Sequence, residues 1–440
     1  AKPAPRPAPA PAPALVPAPA LAPDRTLARA GAAVAEEAVR RPSLAGRASP
    51  SAPEPPASAL SRGSAYKAMM QRSNSDLAAP PSPPEIDEER GRTPEQVDPA
   101  KGRRRYTWIR FDNSEPAREA RRQVSRLTRE VVAASGYKMQ GRVVRLEHVQ
   151  AMIKGSQRMA PSLGNLSAPS RSGAYMSTEL TRHKGLVLQA ALDLNSRHRD
   201  SVAAVSAASA YHCGGGFLTG GRHALEEAIC VQTTLYESLS REEKQFVQSL
   251  DSKSADTDFI AYVPVDGVVV SPKVEVFRDG SDEGYPLLDR PTTLGAVISV
   301  AMFNCNPGVG DAPMDAPQNP SEYREAIRRK FRSVLAAAVH SRCSGLVMTD
   351  AGCGVYKNDP EVVGSVFGEV LRQEFWCHLK EVAVCGMAQF QDAVFAAVAS
   401  AGRSGSVRGA AAALEPLIDD SPPVAAAASQ PPAPPRPSQP

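Results

Sequence analysis

The stretch that decides the fold runs over residues 201–239, SVAAVSAASAYHCGGGFLTGGRHALEEAICVQTTLYESL. Its first nine residues are apolar or small and carry no charge, which suits a strand buried on both faces of a sheet. The run leads directly into His212-Cys213-Gly214-Gly215-Gly216 and a loop that ends at Gly220-Gly221. Beyond the loop, Leu225, Ala228, Ile229, Gln232, Leu235, Tyr236 and Leu239 recur at helical spacing and predict one helix. Strand, glycine loop and helix in that order are the unit from which α/β sheets build ligand sites, beyond the carboxyl ends of their strands.

The pattern repeats toward the C-terminal end. Residues 344–349 read as a strand, and Asp350-Ala351-Gly352-Cys353-Gly354 follows as a second glycine loop. A helix is predicted over 360–375, with proline in its first turn. Glycine lets a backbone come close to a ligand and point N–H groups at it. A loop that feeds a helix start adds a field favourable to an anion. Two such loops side by side suit a diphosphate, although a single one is otherwise only a tight turn. Neither loop matches GxxxxGK[ST] or GxGxxG, so the P-loop and the ordinary dinucleotide fingerprint are excluded.

Other elements extend outward from these two units. Helices are predicted over 116–135, 178–194, 321–340 and 389–401, and strands over 142–146, 259–263, 267–270, 273–277, 295–303 and 381–386. The alternation implies an α/β fold with a parallel or mixed sheet covered on both faces.

Composition bounds the rest. Most of the 41 prolines lie before about residue 100 or after about residue 415. Residues 1–105 and 403–440 are therefore read as disordered Pro/Ala-rich tails around one domain over 106–402. A net charge of +4 is too small to imply direct nucleic-acid binding. Seven irregularly spaced cysteines without a CxxC pair argue against a disulfide framework or zinc site and suit a reducing, intracellular compartment. No apolar run reaches the roughly 18 residues of a membrane span. The proline-broken opening is not a secretory signal. Its Ala/Arg-rich, acid-poor composition permits an organelle transit peptide, with a Pro/Ala linker the preferred reading. An opening Ala in place of Met fits a fragment or a processed chain. The cationic run at 101–105 is compatible with a nuclear address or with a solvated domain edge.

Several residues draw attention within this frame. Glu226 and Glu227 open the helix after the first glycine loop. Acids there commonly serve as dipole partners, yet at the exit of a triple glycine they are candidates to act on whatever the loop holds. Cys353 is read as a small loop residue and not as a nucleophile. His212 and His223 flank the first loop and are expected to be exposed. Asp350 is expected to cap a turn or, if turned inward, to repel an anion. Trp108 and Trp376 are assigned to packing.

The segment GGGFLTGGRHALEE (Gly214 to Glu227) is similar to the poly(ADP-ribose) glycohydrolase signature, a triple glycine followed after a short spacer by Gln-Glu-Glu. ARRQVSRLTREVVAASGY, VVVSPKVEVFRDG, VISVAMFNCNP and LVMTDAGCGVYKNDPEVVGSVF resemble further segments of the microbial-type branch, so the resemblance covers about residues 117–387. It implies a macrodomain fold, with a mixed sheet between helices on both faces and ADP-ribose above the strand ends. It also implies that Gly214, Gly215 and Gly216 line the distal ribose and diphosphate. Glu227 would be the general acid and base, and Glu226 would fix the ribose hydroxyls. Gly352, Cys353, Gly354 and Val355 would form the diphosphate loop, with Tyr356 packed against the distal ribose region.

The implied activity is hydrolysis of ribose–ribose O-glycosidic bonds in poly(ADP-ribose), with no cofactor or metal, by a soluble monomer. The implied partners are ADP-ribose and its polymers, on modified proteins among other carriers, and no membrane. Cytoplasm and nucleus are the expected compartments. Four departures from the family pattern are visible: Leu225 replaces Gln, the spacer before it is one residue longer, Cys213 replaces Pro, and Ser206 replaces a common Asn. They keep two alternatives open: an ADP-ribose reader without catalysis, and a hydrolase of another ADP-ribosyl linkage.

Overall fold

The computed structural model describes residues 114–169, 173–199, 201–221, 223–250, 259–280 and 284–404. The expected tail over 1–105, the 101–105 run and Trp108 lie outside these residues, and so does the expected tail over 403–440 apart from Arg403 and Ser404, which end the last described helix.

Seven strands form the central sheet, in the spatial order β3 (Gln157–Met159), β6 (Val268–Pro272), β9 (Ala296–Val300), β5 (Val202–Ala207), β10 (Gly345–Met348), β11 (Glu381–Val384) and β4 (Glu179–Arg182). The five strands from β9 to β4 run parallel, while β6 is antiparallel to both β9 and β3. The sheet is therefore mixed, as expected. Strand β5 lies at its centre with β9 and β10 as neighbours, in register Ala203↔Ala296 and Ala203↔Leu346.

Period-two alternation divides the core between two faces. Ala203, Val205, Ile298, Leu346 and Val382 pack against α6 (Pro320–His340) and α7 (Pro360–Val370), where Phe331 and Phe367 meet edge-to-face. Val202, Ala204, Val297, Val347 and Ala383 point the other way. They meet α3 (Val187–His198), α4 (Leu225–Gln232) and α5 (Leu235–Ser249). Burial on both faces explains why the central strands read as continuous apolar runs. Two small hairpins, β1 (Gly136–Met139) with β2 (Arg142–Arg145) and β7 (Glu275–Arg278) with β8 (Leu287–Thr293), join α1 (Glu115–Ala133) at one side. A short α2 (Val149–Gly155) precedes β3, and α8 (Ala388–Ser404) closes the described chain. Among the described residues no helix is long and apolar enough to cross a membrane.

Three predicted elements are corrected. The helix expected over 178–194 is two elements, β4 and then α3, because residues 179–182 find a sheet edge to pair with in β11. The segment 259–263 forms no strand, although Tyr262 N–H donates to Ala210 O at 2.9 Å. The single helix expected to run on from Leu225 breaks at Thr233-Thr234. There the backbone leaves the helix to pair with β7: Thr234 N–H donates to Glu275 O, and Glu275 N–H donates to the Thr234 hydroxyl, both at 3.1 Å. Hydroxyls that can bond nearby backbone make such a break inexpensive.

Candidate active site

Strands β9, β5 and β10 are adjacent and parallel, so the loops leaving their carboxyl ends share one end of the sheet. The first glycine loop follows β5 and the second follows β10, as the sequence led us to expect. A third loop, residues 301–319 after β9, joins them.

The first loop wraps around two carboxyl groups. Helix α4 begins at Leu225, so Glu226 and Glu227 occupy its first turn and their side chains turn back toward the loop. Glu226 is 3% exposed and accepts Ser209 N–H at 2.7 Å and Gly214 N–H at 3.0 Å, one on each oxygen. Glu227 is 8% exposed and accepts Gly216 N–H at 2.7 Å and Ala224 N–H at 3.0 Å, again one on each oxygen. The bond to Ala224 runs from the N-cap backbone to the N3 side chain, while the N-cap alanine has no side-chain acceptor to return it. Loop and helix start thus fix each other. Gly215 sits over the pair with φ +53°, and a Cβ there would lie less than 3.0 Å from Glu227 Oε1.

Two effects compete for the charge of these groups. Burial disfavours the ionised form, while N–H donors favour it. For Glu227 burial prevails and pushes its carboxyl above the ordinary value; the Gly216 and Ala224 amides pull it down, and the Asp311 charge adds to the rise. Glu226 is pushed well up, first by burial and then by Glu227 beside it. The site is built to hold protons on carboxyl groups at pH values where an exposed carboxyl has lost them.

The second loop is stitched to the third. Asn358 is buried; its amide donates to Phe303 O at 2.8 Å and to Gly352 O at 2.9 Å, and its oxygen accepts from the Tyr323 hydroxyl at 2.6 Å. The Asn306 amide donates to Val355 O at 2.8 Å, and Cys305 N–H donates to Tyr356 O at 2.9 Å. Gly354 is exposed, with open space where a Cβ would stand. Tyr356 links this assembly to the first loop. Its phenol lies near Ser209 and is pushed up by burial and by the nearby Asp311 and Glu226 charges, with the Ser209 hydroxyl acting in the opposite direction. The two glycine loops and the two glutamates therefore share one neighbourhood.

One expectation is corrected, at His223, and the other residues singled out find their places. His223 is buried, not exposed, and its Nε2 bonds to the Tyr285 hydroxyl. Asp350 turns its carboxylate away from its own loop, accepting from the Thr349 hydroxyl at 2.7 Å and from Met387 N–H at 3.1 Å. The Cys353 side chain is buried, and burial pushes its thiol up to about 12, while its backbone N–H donates to Asp350 O at 3.0 Å. Trp376 packs at the edge of the core under Arg372. Among the described residues no group of three or more His, Cys, Asp or Glu side chains is arranged for a metal ion.

The departures at 213, 225 and in the spacer are accommodated. Cys213 keeps the amide that a proline would lack, and Glu243 accepts it at 3.2 Å. Leu225 is half-buried and packs on the core beside α4. The whole spacer, Phe217 to Ala224, precedes the helix, so its length does not rotate Glu227 around the helix axis. Ser206 is fully buried, and its hydroxyl has no hydrogen-bond partner among the described residues. Sequence reading missed Ser209, Asn306, Asp311 and Asn358. The only signal was the Asn-rich FNCNP after β9.

Comparison with known proteins follows the same lines. Residues 125–279 match the family described as microbial-type PARG, catalytic domain. The fold is similar to poly(ADP-ribose) glycohydrolase from Thermomonospora curvata, at 30% identity and TM-score 0.51 over 63% of this chain and 98% of that one. It is also similar to the same enzyme bound to the inhibitor ADP-HPD, at 28% identity and TM-score 0.50 with the same coverage. The enzyme from Deinococcus radiodurans in complex with ADP-ribose matches at 25% identity and TM-score 0.46, over 58% of this chain and 99% of that one. No curated protein matches.

Proposed function

The chain belongs to the microbial-type poly(ADP-ribose) glycohydrolase family, and from that premise we propose that it cleaves ribose–ribose bonds of poly(ADP-ribose) with Glu227 as general acid and base. The observation that carries this reading is the pair of buried carboxyls gripped by the triple-glycine loop beside Tyr356 of the second loop.

Each step has a residue suited to it. The leaving ribose oxygen needs a proton as its bond to the anomeric carbon breaks. Glu227, held protonated by burial, supplies that proton and then, as a carboxylate, takes one from the attacking water. Glu226 accepts from the ribose hydroxyls with lone pairs left free by Ser209 and Gly214. The backbone of Gly214, Gly215, Gly216, Gly352, Cys353, Gly354 and Val355 receives the ribose and diphosphate. The diphosphate charge stabilises the oxocarbenium-like centre. Tyr356 closes over the distal ribose.

The direct test incubates the purified chain with poly(ADP-ribose) and measures free ADP-ribose, with calorimetry of ADP-ribose binding alongside. Binding without release leaves a reader and ends the hydrolase reading; absence of binding ends both.

The pH dependence supplies a second test. A general acid works only while protonated, so activity is present below the Glu227 pKa and lost as pH rises through it. Because that pKa is raised, the alkaline limb of kcat/KM should lie above the ordinary carboxyl value of 4.5. Asp311→Asn removes a charge that helps hold it up and should move the limb to lower pH. A limb that stays in place or moves upward in the pH–rate profile contradicts the assignment.

A further inference from the structure

Helix α1 turns Ala117, Ala120, Val124, Thr128, Val131 and Val132 inward, and Arg121 lies on that same buried face with 3% exposure. A guanidinium placed there has a specific target. Its Nε and Nη2 both donate to Gly220 O, at 3.0 and 2.9 Å. Arg122 adds a bond from Nη1 to Thr219 O at 3.3 Å. The loop backbone touches the helix itself: Gly220 has φ +65°, and a Cβ there would lie less than 3.0 Å from the Arg118 carbonyl oxygen. No side chain fits in that joint.

The contact reaches the carboxyl pair through a short chain of bonds. Gly221, next to the clamped residue, donates its N–H to Gly216 O at 3.1 Å. Gly216 donates its own N–H to Glu227 Oε1 at 2.7 Å. The segment Arg121 holds is the eight-residue spacer, Phe217 to Ala224, between the triple glycine and the helix that carries the glutamates. A longer loop has more conformations to lose, and a two-pronged planar donor suits a single fixed carbonyl.

We propose that Arg121 is a positioning residue for the hydrolytic site, clamping the extended glycine loop so that the Gly216 amide stays on Glu227. This rests on the hydrolase reading above and adds to it a residue 106 positions away from Glu227 in sequence. Lysine at 121 keeps the charge but loses the fork. In Arg121→Lys, kcat should fall by about 10- to 100-fold, the range for slight misplacement of a catalytic group, while the Kd for ADP-ribose changes by less than about threefold. Loss of the Gly216 N–H removes a donor that favours the carboxylate, so the Glu227 pKa rises further. The alkaline limb of kcat should therefore move to higher pH, which a purely structural defect would not do.

Gly220→Ala strikes the joint from the loop side and should give the same two changes. The double variant should be little worse than either single one, because both break one linkage. Arg126→Lys, on a surface pair with Glu119, is the control and should keep wild-type kcat. Amide hydrogen exchange over 214–221 reads the clamp without reference to activity and should accelerate in Arg121→Lys. Unchanged exchange in that segment overturns the proposal, as does a fall in kcat with an unmoved pH limb. If the wild-type chain releases no ADP-ribose, the hydrolase reading falls, while exchange still decides whether Arg121 holds the loop. If Arg121→Lys fails to fold, Gly220→Ala decides in its place.

Discussion

Glu227→Gln is expected to lower kcat for ADP-ribose release by about 10³-fold, within the range typical of losing a general acid, while calorimetry still detects ADP-ribose binding. The amide cannot give up a proton to a leaving oxygen or take one from water. It also fits the site imperfectly. Both Glu227 oxygens accept backbone N–H groups, from Gly216 and Ala224, so whichever end carries the NH₂ faces a donor with a donor. Loss of one cap bond costs about 1 kcal/mol of stability, a small shift in melting temperature against a large loss of rate. Glu226→Gln separates the two carboxyls. It should weaken ribose contacts and raise KM along with any fall in kcat. If Glu226→Gln removes the rate and Glu227→Gln does not, the roles are reversed.

Gly215→Ala is expected to be nearly as damaging, from a single methyl group. An alanine Cβ would lie less than 3.0 Å from Glu227 Oε1 and about van der Waals distance, 3.5 Å, from Glu226 Oε2. Its neighbour in that contact is a carboxylate pinned by two backbone bonds, not the free end of a flexible chain. The backbone there has φ +53°, where an L-residue costs about 1–2 kcal/mol. Either Glu227 turns away or the loop retreats. We expect a loss of activity on the order of 100-fold, as for other small displacements of reacting groups. Gly280→Ala, where no atom of the described residues lies within 4 Å of the added Cβ, should leave activity and melting temperature nearly unchanged. Wild-type kcat in Gly215→Ala would mean that the carboxyl pair is not where the reaction occurs.

The sequence was most informative where burial alone sets the pattern. Strands β5, β9, β10 and β11 are covered on both faces, and each reads as a run of apolar and small residues, with a charge only at Glu381 at the start of β11. Strands β1, β3, β4 and β8 were missed because they lie at edges or in hairpins. LLDRPTT of β8 carries no apolar alternation, and its strand character comes from pairing with β7. Thr233-Thr234 ended a helix whose apolar spacing ran on undisturbed, because a long-range partner in β7 competed for the backbone. The site divides the same way. Gly214 to Gly216, Glu226, Glu227 and Gly352 to Tyr356 announce themselves by local spacing. Ser209, Asn358 and Arg121 act through partners that no spacing encodes: Asn358 reaches back to Phe303, and Arg121 reaches forward to Gly220.

The strand order has a consequence for how the molecule is made. Strand β5, which leads into the carboxyl pair, has β9 and β10 as its neighbours, and both come from later in the chain. Strand β4 waits for β11, and β7 for β8. A nascent chain released as far as residue 279 would already hold both glutamates, yet its only ladder in the main sheet would be β3 with β6. At ordinary rates of synthesis the interval from β5 to β10 lasts on the order of ten seconds. Until β9 emerges within it, the apolar stretch 202–207 has neither partner strand, and β10 completes the pairing only at its end. Assembly is therefore dominated by contacts between distant parts of the chain, a topology that folds slowly. The residues that form the site acquire their surroundings only after β10 and its loop have been made.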